Sequence, residues 1–83
     1  MKQQLAKVLF EKGLTLREQE TADLVSTGLS NKEIANQLFI TEKIVKFHLT
    51  SIYKKLNVKS RAQLIIYCLP YLGFVDTDDS QAV

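Results

Sequence analysis

Apolar residues recur at the three- and four-residue spacing of an amphipathic helix in five successive stretches of the chain. The first stretch lies in residues 3–12 and ends at Gly13. Each of the other four follows a hydroxyl residue, which can cap a helix by accepting a hydrogen bond from a free backbone N–H. These residues are Thr15, Ser30, Thr41 and Ser60. No stretch alternates with the period of two that marks a half-buried strand. The pattern therefore predicts an all-α fold.

The caps and the helix-stopping residues set the bounds of the predicted helices. Gly28 ends the second helix and Pro70 stops the last, because glycine suits the left-handed C-cap conformation and proline lacks a backbone donor. The predicted helices cover residues 3–12, 16–27, 31–38, 42–56 and 61–69. They divide the chain into an N-terminal helix or linker remnant (1–13), one small domain (14–73) and an acidic, flexible tail (74–83).

The third and fourth predicted helices of this set, 31–38 and 42–56, are separated by only three residues. Two helices joined by so short a turn form a helix-turn-helix, whose second helix can enter the major groove of double-stranded DNA. We therefore expect a small four-helix helix-turn-helix domain with an additional short N-terminal helix. Residues 42–56 are its expected recognition helix.

On a helical wheel, the recognition helix has an apolar face and a basic face. The apolar stripe, expected to lie in the core, consists of Val45, Leu49, Ile52 and Leu56. The opposite side, called here the basic face, consists of Lys43, Lys46, Phe47, Thr50 and Lys54. Lysine and threonine side chains can hydrogen-bond to base edges, and Phe47 suits a thymine methyl group. The alternatives for Phe47 are packing back onto a neighbouring helix or simple exposure to solvent.

The distribution of charge supports this assignment, whereas the formal net charge of +2 is too small to argue for nucleic-acid binding. Residues 1–40 hold five basic and five acidic side chains, while residues 41–61 hold six basic side chains and one acidic side chain. Residues 62–83 contain three aspartates and no basic residue. Positive charge is thus concentrated on the recognition-helix segment, as expected of a DNA-binding surface.

Other classes of function find no support in the sequence. The chain offers no metal-ligand spacing, no nucleophile–base pair and no glycine-rich phosphate loop. We therefore expect no metal, no cofactor and no enzymatic activity. No apolar run approaches the roughly 20 residues of a membrane span, and the N-terminus lacks the apolar region of a secretory signal. We therefore expect no membrane partner. The lone Cys68 cannot form an internal disulfide, which fits the reducing cytoplasm.

Four groups of residues closely resemble the LuxR/GerE-type DNA-binding domain of bacterial transcription regulators. They are Leu14-Thr15-x-Arg17-Glu18-x-Glu20, Gly28-Leu29-Ser30-Asn31-Lys32-Glu33-Ile34-Ala35, Ile40-Thr41-Glu42-x-x-Val45-Lys46-x-His48 and Lys55-Leu56-x-Val58-x-Ser60-Arg61. The resemblance runs from about Leu14 to Ile66 and covers most of the chain. It implies a four-helix domain that regulates transcription and binds DNA as a dimer, usually through its last helix.

The resemblance also implies roles for individual residues. The implied base contacts are Lys46, Phe47 and Thr50, to which the helical wheel adds Lys43. The implied phosphate contacts are Asn31, Lys32, Thr41, His48 and Lys54, and Ser30 joins them as a cap beside free backbone amides. For His48, a packed neutral ring is an equal alternative. Glu18 matches an acidic residue of the family that is expected to form an internal ion pair. The position of Lys55 further along the recognition helix, and not the resemblance, predicts that Lys55 touches the DNA backbone or nothing.

The sequence departs from the family pattern on the recognition helix, where Phe47 and Thr50 replace the residues often found there. The DNA sequence that is bound therefore cannot be borrowed from relatives. Most family members carry an upstream sensor domain. The sequence leaves open whether this chain is an excised effector domain or a free-standing regulator.

The final predicted helix is apolar almost all round, and such a helix needs a second partner. Its core-facing residues are expected to be Ala62, Ile65, Ile66 and Leu69. Leu64 and Cys68, with Tyr67 or Tyr71 nearby, are then left on an outer surface that forms the dimer interface. The alternative is that the helix at 3–12 covers this surface within one molecule.

Two further interpretations compete with DNA binding. In the first, the chain is a protein-interaction module whose basic face docks an acidic partner, such as RNA polymerase or another regulator. In the second, the acidic tail competes for the basic face within the molecule. Titration with duplex DNA at several salt concentrations separates the first from DNA binding, because phosphate contacts make log affinity fall linearly with log salt.

Overall fold

A computed structural model describes residues 3–72, which form five α-helices and one short 3₁₀ helix. The helices are α1 (Gln3–Glu11), α2 (Leu16–Ser26), α3 (Asn31–Leu38), α4 (Glu42–Leu56) and α5 (Arg61–Cys68), followed by the 3₁₀ helix Leu69–Tyr71. No strand occurs within this described range, and the predicted all-α helix-turn-helix fold is confirmed. The predicted acidic tail at 74–83, and with it the idea that it competes for the basic face, lies outside the described residues.

All four predicted hydroxyl caps are present. Thr15 and Ser30 form capping boxes, in which each hydroxyl accepts from the N–H three residues on and the glutamate there accepts from the cap N–H. The Thr41 hydroxyl accepts from the Ile44 N–H at 3.2 Å, and the Ser60 hydroxyl accepts from the Gln63 N–H at the same distance. These bonds fix where each helix begins, so that the predicted starts of α2 to α5 are confirmed within one residue.

The turn between α3 and α4 depends on one unusual backbone conformation. Phe39 ends α3 with φ +59°, in the left-handed region, and its N–H donates to the Ala35 carbonyl. This conformation redirects the chain within three residues, and it costs free energy in any residue that has a Cβ. The recognition helix therefore starts at Glu42 with its direction fixed against α3.

Helix α2 lies at the centre of the domain and packs against the other four α-helices, while α3 also packs against α4. Its buried Ala22 and Val25 join one core with buried apolar side chains from each of those four helices. The four residues of the predicted α4 stripe, Val45, Leu49, Ile52 and Leu56, are all buried in that core. Because this stripe fixes the rotation of α4, the basic face is turned outward.

The predicted orientation of α5 is wrong. Leu64 and Cys68 are fully buried where α5 packs against α2, whereas Ile66 is 63% exposed and Leu69 is 42% exposed. Leu64 and Cys68 lie one turn apart and form the inner stripe, so they cannot form the dimer surface that was assigned to them. Since α5 is apolar on nearly every side, the pattern did not identify the buried side, which packing against α2 determines.

The two other residues connected with that surface are only partly buried. The ring of Tyr67, in α5, and the ring of Tyr71, in the 3₁₀ helix, lie 6.4 Å apart between centroids. Burial, and then the charge of Asp23, raise the pKa of the Cys68 thiol to about 11, so the thiol is neutral near pH 7. Cys68 therefore acts as a small apolar core residue.

An ion pair joins the start of α2 to the end of α4. Lys55 Nζ donates to Glu18 Oε1 at 2.7 Å and to the Gly13 carbonyl at 3.0 Å. The internal ion pair expected of Glu18 is thus confirmed, and the expectation that Lys55 points to DNA or to nothing is wrong. Burial raises the pKa of Glu18, but hydrogen bonds from Lys55, Ser51 and the Thr15 backbone, with the Lys55 charge, together lower it to about 2.

Candidate nucleic-acid interface

The basic face of α4 is exposed along its whole length. Lys43, Lys46, Phe47, Thr50 and Lys54 are all accessible to solvent. Within residues 3–72 the only ion pairs are Arg17–Glu20 and Glu18–Lys55, so none of the three lysines of this face is neutralised by a described carboxylate. An uncompensated row of ammonium groups on one helix attracts a polyanion.

Phe47 projects from the middle of this basic face with 69% of its surface exposed. Its nearest aromatic neighbour is His48, with ring centroids 6.1 Å apart and planes tilted by 59°. The alternative in which Phe47 packs back onto a neighbouring helix is therefore wrong. What remains is contact with a partner or simple exposure.

The Phe47→Ala variant should lose little stability. A buried phenylalanine truncated to alanine typically costs about 3–5 kcal/mol, whereas a side chain this exposed should cost under about 1 kcal/mol. Chemical denaturation followed by circular dichroism measures the difference, with Leu49→Ala, on the buried stripe of the same helix, as the matched control. A loss for Phe47→Ala as large as that for Leu49→Ala would contradict the exposed position.

Thr50 and Lys54 continue the basic face towards the end of α4. The Thr50 hydroxyl donates to the Lys46 carbonyl at 3.1 Å, which leaves its oxygen lone pairs able to accept from a base or a water. Both residues border an open depression of about 430 Å³, together with Tyr53, Asn57, Val58 and Lys59. Tyr53 and Lys59 were not among the predicted site residues, although Lys59 belongs to the same basic segment.

Four of the six predicted phosphate contacts, Ser30, Asn31, Lys32 and Thr41, lie at the N-terminal ends of α3 and α4. The Ser30 hydroxyl accepts from the Glu33 N–H, and the Thr41 hydroxyl accepts from the Ile44 N–H. Both hydroxyls are thus already used as helix caps. The remaining backbone N–H groups of each first turn have no partner inside the helix, and such groups suit a phosphate oxygen. Lys32 is exposed beside the first of these helix ends.

Arg61 links the start of α5 to the start of α3. Its guanidinium donates to Oδ1 of Asn31 at 2.7 Å and to the Leu29 carbonyl at 2.6 Å. Asn31 was predicted to contact phosphate directly, and the structure adds that its oxygen is already occupied. Sequence reasoning included Arg61 in a family motif but gave it no role, because its partners lie about 30 residues away in the chain.

His48 is half-buried beside the exposed ring of Phe47, which leaves both of its predicted roles open. In the described part of the chain, no three His, Cys, Asp or Glu side chains are grouped to hold a metal ion. Over the same residues, no helix is both long and apolar enough to cross a membrane.

Comparison with known proteins agrees with this geometry. Residues 12–68 match the family described as "Bacterial regulatory proteins, luxR family" (GerE). This range begins just before Leu14 and ends at Cys68, the last residue of α5. It therefore covers the helix-turn-helix and the two helices that pack around it, α2 and α5.

Several curated relatives match over a large part of the chain. The transcriptional regulatory protein LiaR of Bacillus subtilis is 48% identical over 59 residues, or 71% of this chain and 28% of LiaR. The oxygen regulatory protein NreC of Staphylococcus carnosus is 46% identical over 56 residues, or 68% of this chain and 26% of NreC. The HTH-type transcriptional regulator AlkS of Pseudomonas putida is 47% identical over 53 residues, or 64% of this chain and 6% of AlkS. The chain spans less than a third of the length of each of these relatives.

Proposed function

We propose that this chain, which belongs to the luxR family of bacterial regulatory proteins, is a transcription regulator. It binds double-stranded DNA in a sequence-specific way. It inserts α4 into the major groove and acts in the cytoplasm. The observation that carries this proposal is the exposed basic face of α4, with three lysines free of described carboxylates and one exposed phenylalanine.

The groups on this face fall into two functional sets. Lys43, Lys46 and Phe47 belong to the N-terminal half of α4, the part of a recognition helix that reaches base edges, and Thr50 follows one turn after Lys46. Lysine donates to guanine acceptors, and an apolar side chain contacts a thymine methyl group. Lys54 lies further along the helix, where it is suited to a phosphate.

Phosphate contacts position the protein on the duplex without reading its sequence. We assign this role to the first turns of α3 and α4, with Ser30, Asn31, Lys32 and Thr41. His48 joins them as the half-buried neighbour of the basic face. Two helix ends and the groove-binding helix would then hold the DNA strands on both sides of the same groove.

We also propose that two copies bind side by side on DNA, through the outer face of α5. This face carries Ala62, Ile66 and Leu69, which are all exposed. They replace Leu64 and Cys68 as the apolar groups available for a two-fold contact. One short helix buries less than the roughly 1,200–2,000 Å² of a standard stable interface, so we expect dimers on DNA and weak self-association in solution.

Lys46→Ala should weaken specific DNA binding about tenfold or more while leaving the fold intact, since one lost base or phosphate contact costs about 1–3 kcal/mol. Binding is measured by titration against a duplex selected from random DNA by the wild-type chain. Lys7→Ala, which removes the same charge from the exposed side of α1, is the matched control.

The same titration at several salt concentrations tests the proposal against docking of an acidic protein. Neutralised phosphates give a linear fall of log affinity with log salt, and each ionic contact adds about 0.9 to the slope. Binding that is equal in Lys46→Ala and Lys7→Ala would show that the basic face is not the DNA surface. No salt-dependent binding to any duplex would reject the proposed function.

A further inference from the structure

Arg61 places a positive charge where helix electrostatics oppose it. It is the first residue of α5, and its guanidinium reaches Asn31, the first residue of α3. Each helix has partial positive charge at its N-terminal end, so the guanidinium lies beside two positive helix ends. Among residues 3–72 no carboxylate forms an ion pair with it. Its described partners, the Asn31 side chain and the Leu29 carbonyl, are neutral, so hydrogen bonds and not an ion pair hold Arg61 at the start of α3.

The two hydrogen bonds of Arg61 fix the orientation of Asn31. A guanidinium can only donate, so the side-chain oxygen of Asn31 must face it, at 2.7 Å. The Asn31 amide nitrogen, with two N–H donors, is then left for another partner. The second bond, to the Leu29 carbonyl, holds the backbone on the other side of the Ser30 cap. Both chain segments around the start of α3 are thus held against α5.

We propose that Arg61 is a positioning residue for DNA binding, which orients Asn31 so that its amide nitrogen donates to a DNA phosphate at the N-terminal end of α3. This inference rests on the proposed function and adds a residue that does not itself touch DNA. Arg61 acts through Asn31 because its short hydrogen bonds are directed at Asn31 and Leu29. The adjacent backbone N–H groups of the first turn reinforce the phosphate contact.

A double-mutant cycle with the full 83-residue chain tests this coupling. The proteins are wild type, Asn31→Ala, Arg61→Gln and the double variant, each titrated with the duplex selected by the wild-type chain. Each single variant should bind about tenfold more weakly, the loss of one hydrogen bond to a charged group. The double variant should bind no more weakly than the weaker single variant, because both changes remove the same contact.

The salt dependence separates a positioning role of Arg61 from a direct contact between Arg61 and a phosphate. Because Asn31 is neutral, the slope of log affinity against log salt should be the same in all four proteins. A slope reduced by about 0.9 in Arg61→Gln would show that Arg61 itself neutralises a phosphate. Additive losses in the cycle, or wild-type affinity in Arg61→Gln, would equally overturn the proposal.

Unfolding free energies of the four proteins, measured in parallel, separate lost binding from lost structure. If Arg61→Gln does not fold at the assay temperature, Arg61→Lys takes its place in the cycle, since lysine keeps the charge but lacks the planar pair of donors. The proposed function requires that wild type shows salt-dependent binding and that Lys46→Ala weakens it. If the Arg61 variant then binds with wild-type affinity, this inference alone is rejected. Absence of DNA binding by wild type would reject the proposed function as well.

Discussion

Leu64→Ala should lower the free energy of unfolding by about 2–5 kcal/mol, the range for truncating a large aliphatic side chain in a core. Leu64 is fully buried in the core, on the inner stripe of α5 that packs against α2. Truncation removes its buried methyl groups and leaves a cavity beside Cys68. Chemical denaturation followed by circular dichroism measures the loss.

Ile66→Ala is the matched control, because Ile66 lies on the same short helix but is 63% exposed. Its loss should stay within about 0.5 kcal/mol, as for most surface substitutions. Equal losses for Leu64→Ala and Ile66→Ala would contradict the orientation of α5.

Ile66→Glu should likewise leave one domain folded, yet remove cooperative binding to a duplex with two half-sites. Unchanged cooperativity in this variant would place the dimer contact elsewhere.

The contrast between α4 and α5 shows how far the sequence pattern determines the fold. On α4, lysines and a threonine lie opposite the aliphatic stripe, so only one rotation of the helix buries apolar atoms and leaves charges in water. On α5, Leu64, Ile65, Ile66 and Cys68 surround most of the axis, and several rotations bury similar apolar area. Periodicity identifies both helices, but only packing against α2 selects the inner side of α5.

The candidate site shows the same division between local and distant information. The basic face of α4 was predictable because its residues are neighbours on one helix surface. The contact between Arg61 and Asn31 joins residues 30 positions apart, and the pair Glu18–Lys55 joins residues 37 positions apart. Neither pairing follows from spacing. For Lys55 one signal was available: on the wheel it lies beside the apolar stripe, away from the basic face.

The Glu18–Lys55 pair also leads to a prediction about stability. Lys55→Met should lower the free energy of unfolding at pH 7 by about 2–3 kcal/mol, because it leaves the buried Glu18 carboxylate without its cation. This loss of stability is smaller than that for breaking a fully buried ion pair, since one third of the Lys55 side chain is exposed. Lys54→Met, the adjacent exposed lysine with no described ion pair, is the control and should change stability little.

The dependence of stability on pH identifies the carboxylate that is responsible. Glu18 has a pKa of about 2 in the folded chain, below its ordinary value of 4.5, so its contribution is fully present above about pH 4.5. As the pH falls from 4.5 towards 2, the unfolded chain binds this proton first, and the contribution is lost. The pKa difference corresponds to about 3 kcal/mol at neutral pH. Without Lys55 the folded pKa must rise, so the acid-induced loss of stability should be smaller in Lys55→Met than in Lys54→Met. Parallel acid profiles for the two variants would show that Lys55 does not hold the Glu18 carboxylate in its charged form.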